Sequence, residues 1–170
     1  MNELKWIVWM FPLLFIIHDM EEIITAKNWC AKGFKKHIPL PFTPFGNTTD
    51  TAGFSVAVYE ELILWCLAAF VGNIFGFYGL WYGLLIMNIA HLVLLHMILL
   101  PISYRHYVPG EITAWITVIP CCYVLKLAQN ILQYSIIEIT LWVGFGFLFG
   151  FINLKILHKN IEKLGKLIKF

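Results

Sequence analysis

Charged residues are scarce in this chain. Of 170 residues, 13% are Asp, Glu, Lys or Arg, against 60% hydrophobic and 16% aromatic. Soluble domains carry about 25% charged and about 45–50% apolar residues. A water-soluble globule is therefore excluded, and lipid must cover the apolar surplus. Cysteine offers no scaffold: Cys30, Cys66, Cys121 and Cys122 lack the paired spacing of a thiolate metal site, and nothing in their placement indicates disulfides. The adjacent pair reads as small buried hydrophobes. The N-terminal run is not expected to be a cleavable leader, because Lys5 stands alone beside Glu3 and acids occupy the place of a small-residue cleavage site. The first apolar run is thus expected to be a retained helix. Net charge is only +2, with the basic residues in loops and at the C-terminus, a pattern that suits membrane orientation and not nucleic-acid binding.

What remains is apolar sequence of spanning length, given about 20 residues per crossing. Five runs are expected to cross: about Leu4 to Thr25 with a kink at Pro12, Ala52 to Val71, Phe77 to Leu100 ended by Pro101, a run after Pro109-Gly110 to Leu127 interrupted by Pro120, and Tyr134 to Leu154. The fold class is all-α, a polytopic membrane helix bundle of about five transmembrane helices plus a C-terminal amphipathic helix. Residues 1–152 form the bundle, and residues 153–170 a basic tail with Lys155, Lys159, Lys163, Lys166 and Lys169 interleaved with apolar residues. Lys27, Lys32, Lys35 and Lys36 follow span one, and Arg105 follows span three. The positive-inside rule then puts these loops and the C-terminus in the cytoplasm and the N-terminus outside. The expected location is a bacterial cell membrane.

Ionisable groups inside these runs are costly, at roughly 2.5–3.5 kcal/mol for a charge at a helix centre, and mark functional sites by default. The first run holds His18-Asp19-Met20-Glu21-Glu22. His18, Glu21 and Glu22 share one helix face at i, i+3 and i+4. At about 1.5 Å per residue, His18 on span one and His91 or His96 on span three reach one depth, near Glu60 and Glu61 on span two. Asn88 shares a face with His91. His96 lies about 140° round from His91 in a regular helix of 3.6 residues per turn, so aiming both at one point requires a distortion, for which Pro101 is the candidate. Asp19 reads as structural or interfacial.

Carboxylates and imidazoles facing one another across a helical bundle are what a divalent metal site needs, and these donors suit Zn, Fe or Mn. The proposed ligands are His18, Glu22, Glu61 and His91 or His96. Glu21 is expected to be a further ligand or a general base. Glu60 and Asn88 complete the polar set. Pro109-Gly110 makes a turn, after which Glu111 is expected to cap a new helix, and Tyr107 is placed to close the site or donate a hydrogen bond to a substrate.

With these residues the chain resembles the HXXEE-domain family of small integral membrane proteins. The likeness rests on His18-Asp19-Met20-Glu21-Glu22 and on Tyr107-Val108-Pro109-Gly110-Glu111-Ile112-Thr113, which is similar to the family's tyrosine-x-proline-glycine segment ending in threonine. The resemblance also implies a glutamate in the second span, which Glu60 or Glu61 supplies, and an asparagine and a histidine before the tyrosine motif. It spans Leu4 to about Pro120.

Two classes of function follow. The first is a metal-dependent enzyme acting on a membrane lipid or another hydrophobic small molecule, as hydrolase, isomerase or oxidoreductase. The alternative is a proton- or metal-coupled carrier or small-ligand-binding protein, which at this size is expected to form a homodimer. The intramembrane prenyl endopeptidases place an arginine four residues beyond their glutamate pair. Ala26 stands there instead, so that activity is not assigned.

Overall fold

The apolar runs fold as helices, and all regular structure among the described residues is helical. The computed structural model describes residues 2–48 and 50–167. Helix α1 (Asn2–Ile7) leads into α2 (Met10–Ala31) through a break at Val8 and Trp9. Pro12 was the expected kink, yet the chain bends one turn earlier. A proline lacks the N–H for the carbonyl four residues back and crowds it, and that carbonyl belongs to Val8. It accepts instead from Trp81 Nε1 at 3.0 Å, so the freed acceptor ties the entry of α2 to a neighbouring helix.

Helix α3 (Thr51–Phe75) starts where Asp50 Oδ1 accepts from Ala52 N at 3.2 Å. Helix α4 (Gly79–His91) passes into a π-helical stretch, Leu92–Leu99, and then into α5 (Leu100–Tyr104). The expected end at Pro101 is therefore corrected: the helix runs on to Tyr104, because proline is tolerated in a first helical turn. Helix α6 (Glu111–Leu132) carries Pro120 inside without a break and continues past the expected end at Leu127. Helix α7 (Ile136–Leu167) is unbroken. The lysine-rich stretch from Lys155 to Lys166 is thus a direct extension of the last crossing, with Leu157 and Ile161 buried and Ile161 against Gly53 of α3. Residues 168–170, with Lys169 of the expected tail, lie outside the described residues.

Four stretches are long and apolar enough to cross a membrane: Thr51–Phe75, Gly79–Tyr104, Glu111–Leu132 and Ile136–Leu157. Helix α2 has 22 residues, about 33 Å at 1.5 Å each, and packs against α3 and α6. We read it as the fifth crossing, set apart by its polar residues. Helix α7 lies along α4 and α3. The α4–α7 contact is close because Gly83 and Gly146 meet main chain to main chain, leaving no space for a side chain on either. Phe11, Trp65 and Trp81 form an aromatic interior, whereas Ile119, Ile137, Leu141 and Phe151 point outward. Such an apolar exterior is stable only in lipid.

Candidate metal centre

Two helices and the π stretch bring four candidate ligand atoms together. His18 and Glu22 come from α2, one turn apart; His91 ends α4, and His96 lies in the π stretch. One donor atom from each lies within 4.8 Å of all the others. His96 Nε2 stands 3.0 Å from Glu22 Oε1 and 3.0 Å from His91 Nε2, and His18 Nε2 stands 3.4 Å from Glu22 Oε1. In a tetrahedral site with metal–nitrogen bonds of about 2.0–2.1 Å, ligand atoms stand roughly 3.3–3.4 Å apart. His18 and His96 are each 1% exposed and Glu22 is 6% exposed, so water does not neutralise this group.

The choice between His91 and His96 dissolves: both join the group. A π-helix bonds i to i+5 and is frequent at functional sites. Here it brings residues five apart onto one side, the distortion the spacing required. Pro101 lies just beyond this stretch, within α5.

The segment after α5 closes over these ligands residue by residue. Trp29 Nε1 donates to the Tyr107 carbonyl at 2.8 Å, pinning the segment to α2. Pro109 offers its carbonyl 2.9 Å from His96 Nδ1. A carbonyl only accepts, so His96 Nδ1 carries a proton and Nε2 is the ring atom turned toward the group. Thr113 Oγ1 donates to Glu21 Oε2 at 2.6 Å and stands 3.2 Å from His18 Nδ1. Its only proton is committed to Glu21, so it accepts from His18 Nδ1–H. His18 Nε2 is then the ring atom turned toward Glu22, as Nε2 is in His96.

The Nε2 atoms of His18 and His96 and a carboxylate oxygen of Glu22 thus converge, with His91 Nε2 3.0 Å from His96 Nε2. His18 Nε2 and Glu22 Oε1 are indeed buried without a hydrogen-bond partner. Unpartnered buried polar atoms are rare and costly. A cation between them would satisfy both, and metal-binding histidines almost always donate the other ring nitrogen in this way.

Gly110 fits the same plan. Its φ of +81° favours glycine, and a Cβ there would stand 2.8 Å from His18 Cε1, 2.8 Å from His96 Nδ1 and 2.9 Å from Glu22 Oε1. Neither Gly110 nor Thr113 was singled out for the site from sequence. The signal was present in the tyrosine-x-proline-glycine segment, but its contacts depend on tertiary approach.

The other sequence candidates are placed differently. Glu21 stays outside the group of four and binds the start of α6. Its Oε2 accepts from Thr113 N at 2.7 Å as well as from the hydroxyl, while Oε1 accepts from Tyr107 OH at 2.6 Å and Ile112 N at 3.4 Å. A carboxylate at a helix N-terminus meets both free N–H groups and the positive end of the dipole. Glu111, expected to cap α6 from within, instead accepts from Val108 N at 3.1 Å. Tyr107 sits in the loop; burial, and next its bond to Glu21, push its phenol up to about 12. It therefore remains a proton donor to Glu21 across the physiological range. Glu60 accepts from Asn153 Nδ2 at 3.1 Å. Glu61, Asn88 and Asp19 do not join the four, but they line the same cavity, and Asp19 is buried with Oδ2 unpartnered.

That cavity has a volume of about 730 Å³, within the range of roughly 300–1,000 Å³ of small-molecule sites. The four ligands form one wall. Apolar residues such as Phe15, Trp65, Leu95 and Phe151 form most of the rest. Leu94, Leu99, Phe147 and Phe151 line it and are exposed.

Thr113→Val tests the outer support of the histidine. Losing the hydroxyl frees His18 to change tautomer, and metal affinity is expected to fall about 10–100-fold, the usual cost of removing such a partner. Thr113→Ser restores it. Metal titration of detergent-purified protein measures both.

The fold and ligand set define a polytopic helical protein with a His/Glu group set between its apolar helices. The chain belongs to the family described as protein of unknown function with HXXEE motif, whose model matches residues 9–125. This match contains all four ligands, Glu21 and the Tyr107–Thr113 segment, and it stops before α7. No curated protein and no solved structure matches the chain.

Proposed function

We propose that this protein is a metal-dependent membrane enzyme acting on a lipid or another hydrophobic small molecule, with the divalent ion held by His18, Glu22, His91 and His96. One observation carries the reading: donor atoms of His18, Glu22, His91 and His96 lie within 4.8 Å of one another, with His18 Nε2 and Glu22 Oε1 buried and unpartnered, at the wall of a mainly apolar cavity of about 730 Å³. Histidine and carboxylate donors suit Zn, Fe or Mn. An ion there supplies Lewis acidity and a bound water whose pKa falls toward about 7. The chain's own residues do the rest. Pro109 and Thr113 hold the imidazoles in the ligating tautomer, Glu21 and Tyr107 hold Thr113 and the start of α6, and Glu61 and Asp19 face the substrate space. In the membrane, the lysine-rich end is cytoplasmic and the N-terminus outside, as the positive-inside rule requires.

Elemental analysis of detergent-purified protein is the test. Wild type is expected to carry stoichiometric metal, His18→Ala and Glu22→Ala to lose it, and Glu60→Gln to keep it. Metal-free wild type, with solute flux in liposomes abolished by His18→Ala and Glu22→Ala, makes the protein a carrier instead.

A further inference from the structure

The cavity beside the ligand group is apolar along most of its wall, but one end is not. Lys155 and Lys159 of α7 line it there, together with the loop residues Pro41 to Gly46. They are four residues apart and so share one helix face. Neither takes part in an ion pair among the described residues. Asn153 bound to Glu60, and Ile161 packed on Gly53, fix α7 against α3 above and below them. Two exposed ammonium groups therefore stand at the cavity's loop end without a carboxylate partner among the described residues.

The opposite feature is an open flank. The π stretch lies along α6, whereas α7 lies along α3 and α4. Between them, Leu94 and Leu99 on one side and Phe147 and Phe151 on the other line the cavity and are exposed, so the cavity is open along this flank. A hydrocarbon chain can pass from the bilayer between these walls without leaving an apolar environment.

Charge completes the argument. Asp19, Glu22 and Glu61 are the carboxylates of the cavity wall. A divalent ion on the ligand group and two ammonium groups outweigh them by one positive charge. Protonation of Asp19 or Glu61 only enlarges that excess. That excess attracts an anion to the cavity, and a volume of about 730 Å³ is in the range of sites for single small molecules.

From this we infer that the cavity takes a single-chain anionic amphiphile from the bilayer, its head group held by Lys155 and Lys159 and its chain along the opening between the π stretch and α7. This deepens the enzyme reading by naming its substrate class, and it rests on the metal for part of the charge. Because the family match ends at residue 125, the ligand group lies within the matched region while head-group selection lies in α7, outside it.

The test is equilibrium binding of radiolabelled palmitate and hexadecanol to the immobilised, detergent-purified protein, with metal content measured on the same sample. Palmitate is expected to saturate one site and to bind at least about tenfold tighter than the alcohol, a step of about 1.4 kcal/mol. In the Lys155→Gln/Lys159→Gln double variant, palmitate affinity is expected to fall to that of hexadecanol while metal content and melting temperature stay unchanged. Both lysines are exposed, so the fold tolerates the change. Equal affinity of the two probes for wild type, or an unaltered preference in the double variant, overturns the inference. Metal content read alongside shows separately whether the enzyme reading stands.

Discussion

Gly110→Ala is expected to be the most damaging single-methyl substitution in the protein. The new Cβ meets His18 Cε1 and His96 Nδ1 at 2.8 Å and Glu22 Oε1 at 2.9 Å. These are ligand side chains fixed by Pro109 and Thr113, so none yields without breaking a hydrogen bond. A φ of +81° adds a backbone cost of roughly 1–2 kcal/mol for a residue with a Cβ. Overpacking a filled interior costs about 1–3 kcal/mol more. The combined loss is a large part of a total stability of about 5–15 kcal/mol. Gly33→Ala is the control, since Gly33 has φ +60° and no heavy atom within 4 Å of its Cβ position. Thermal melts in detergent should show a small loss for Gly33→Ala and a loss at least twice as large for Gly110→Ala, with metal binding abolished only in the latter. Equal losses in the two variants would show that Gly110 is required for its backbone angle alone.

The order of the crossings was legible because apolar runs of spanning length have one physical solution in lipid. The helix ends were less so. Pro12 marked a disturbance, but where the chain bends depends on which carbonyl loses its donor, and the partner of that carbonyl, Trp81, is 73 residues away. The motif His18-Glu21-Glu22 declared a shared helix face, and two of its members do meet on the ligand group. Glu21 is set about 100° from Glu22 by helical geometry, which turns it toward α6. Nothing local shows that the start of α6 lies there, since Thr113 is 92 residues further along the chain. The five-residue spacing of His91 and His96 was read as a conflict, and the π stretch resolves it. Glu61 over Glu60 at the cavity wall was beyond reach, because adjacent residues differ only in which neighbour α7 offers.

Glu21 and Glu22 are expected to separate cleanly in a pair of variants, although they are neighbours in one motif. Glu21 accepts from four donors, the hydroxyls of Tyr107 and Thr113 and the N–H groups of Ile112 and Thr113. Glu21→Ala leaves those donors without their acceptor at the first turn of α6. Hydrogen bonds to charged groups contribute about 1.5–3 kcal/mol each, and losing a set that acts together is expected to lower stability by several kcal/mol. Glu21→Gln is no rescue, because its amide turns a donor toward other donors. Metal affinity should fall as well, about 10–100-fold, since His18 then loses the oriented hydroxyl that fixes its tautomer. Glu22→Gln acts the other way round. Its Oε1 already lacks a hydrogen-bond donor, so melting in the absence of metal is expected to change little while metal binding is lost. Stability followed by thermal melting with and without chelator distinguishes the two: the Glu21 variants melt early under both conditions, whereas Glu22→Gln differs from wild type only when metal is present. A general base at Glu21 predicts instead a protein of normal stability and metal content that lacks turnover, and that outcome would reassign the residue to the reaction itself.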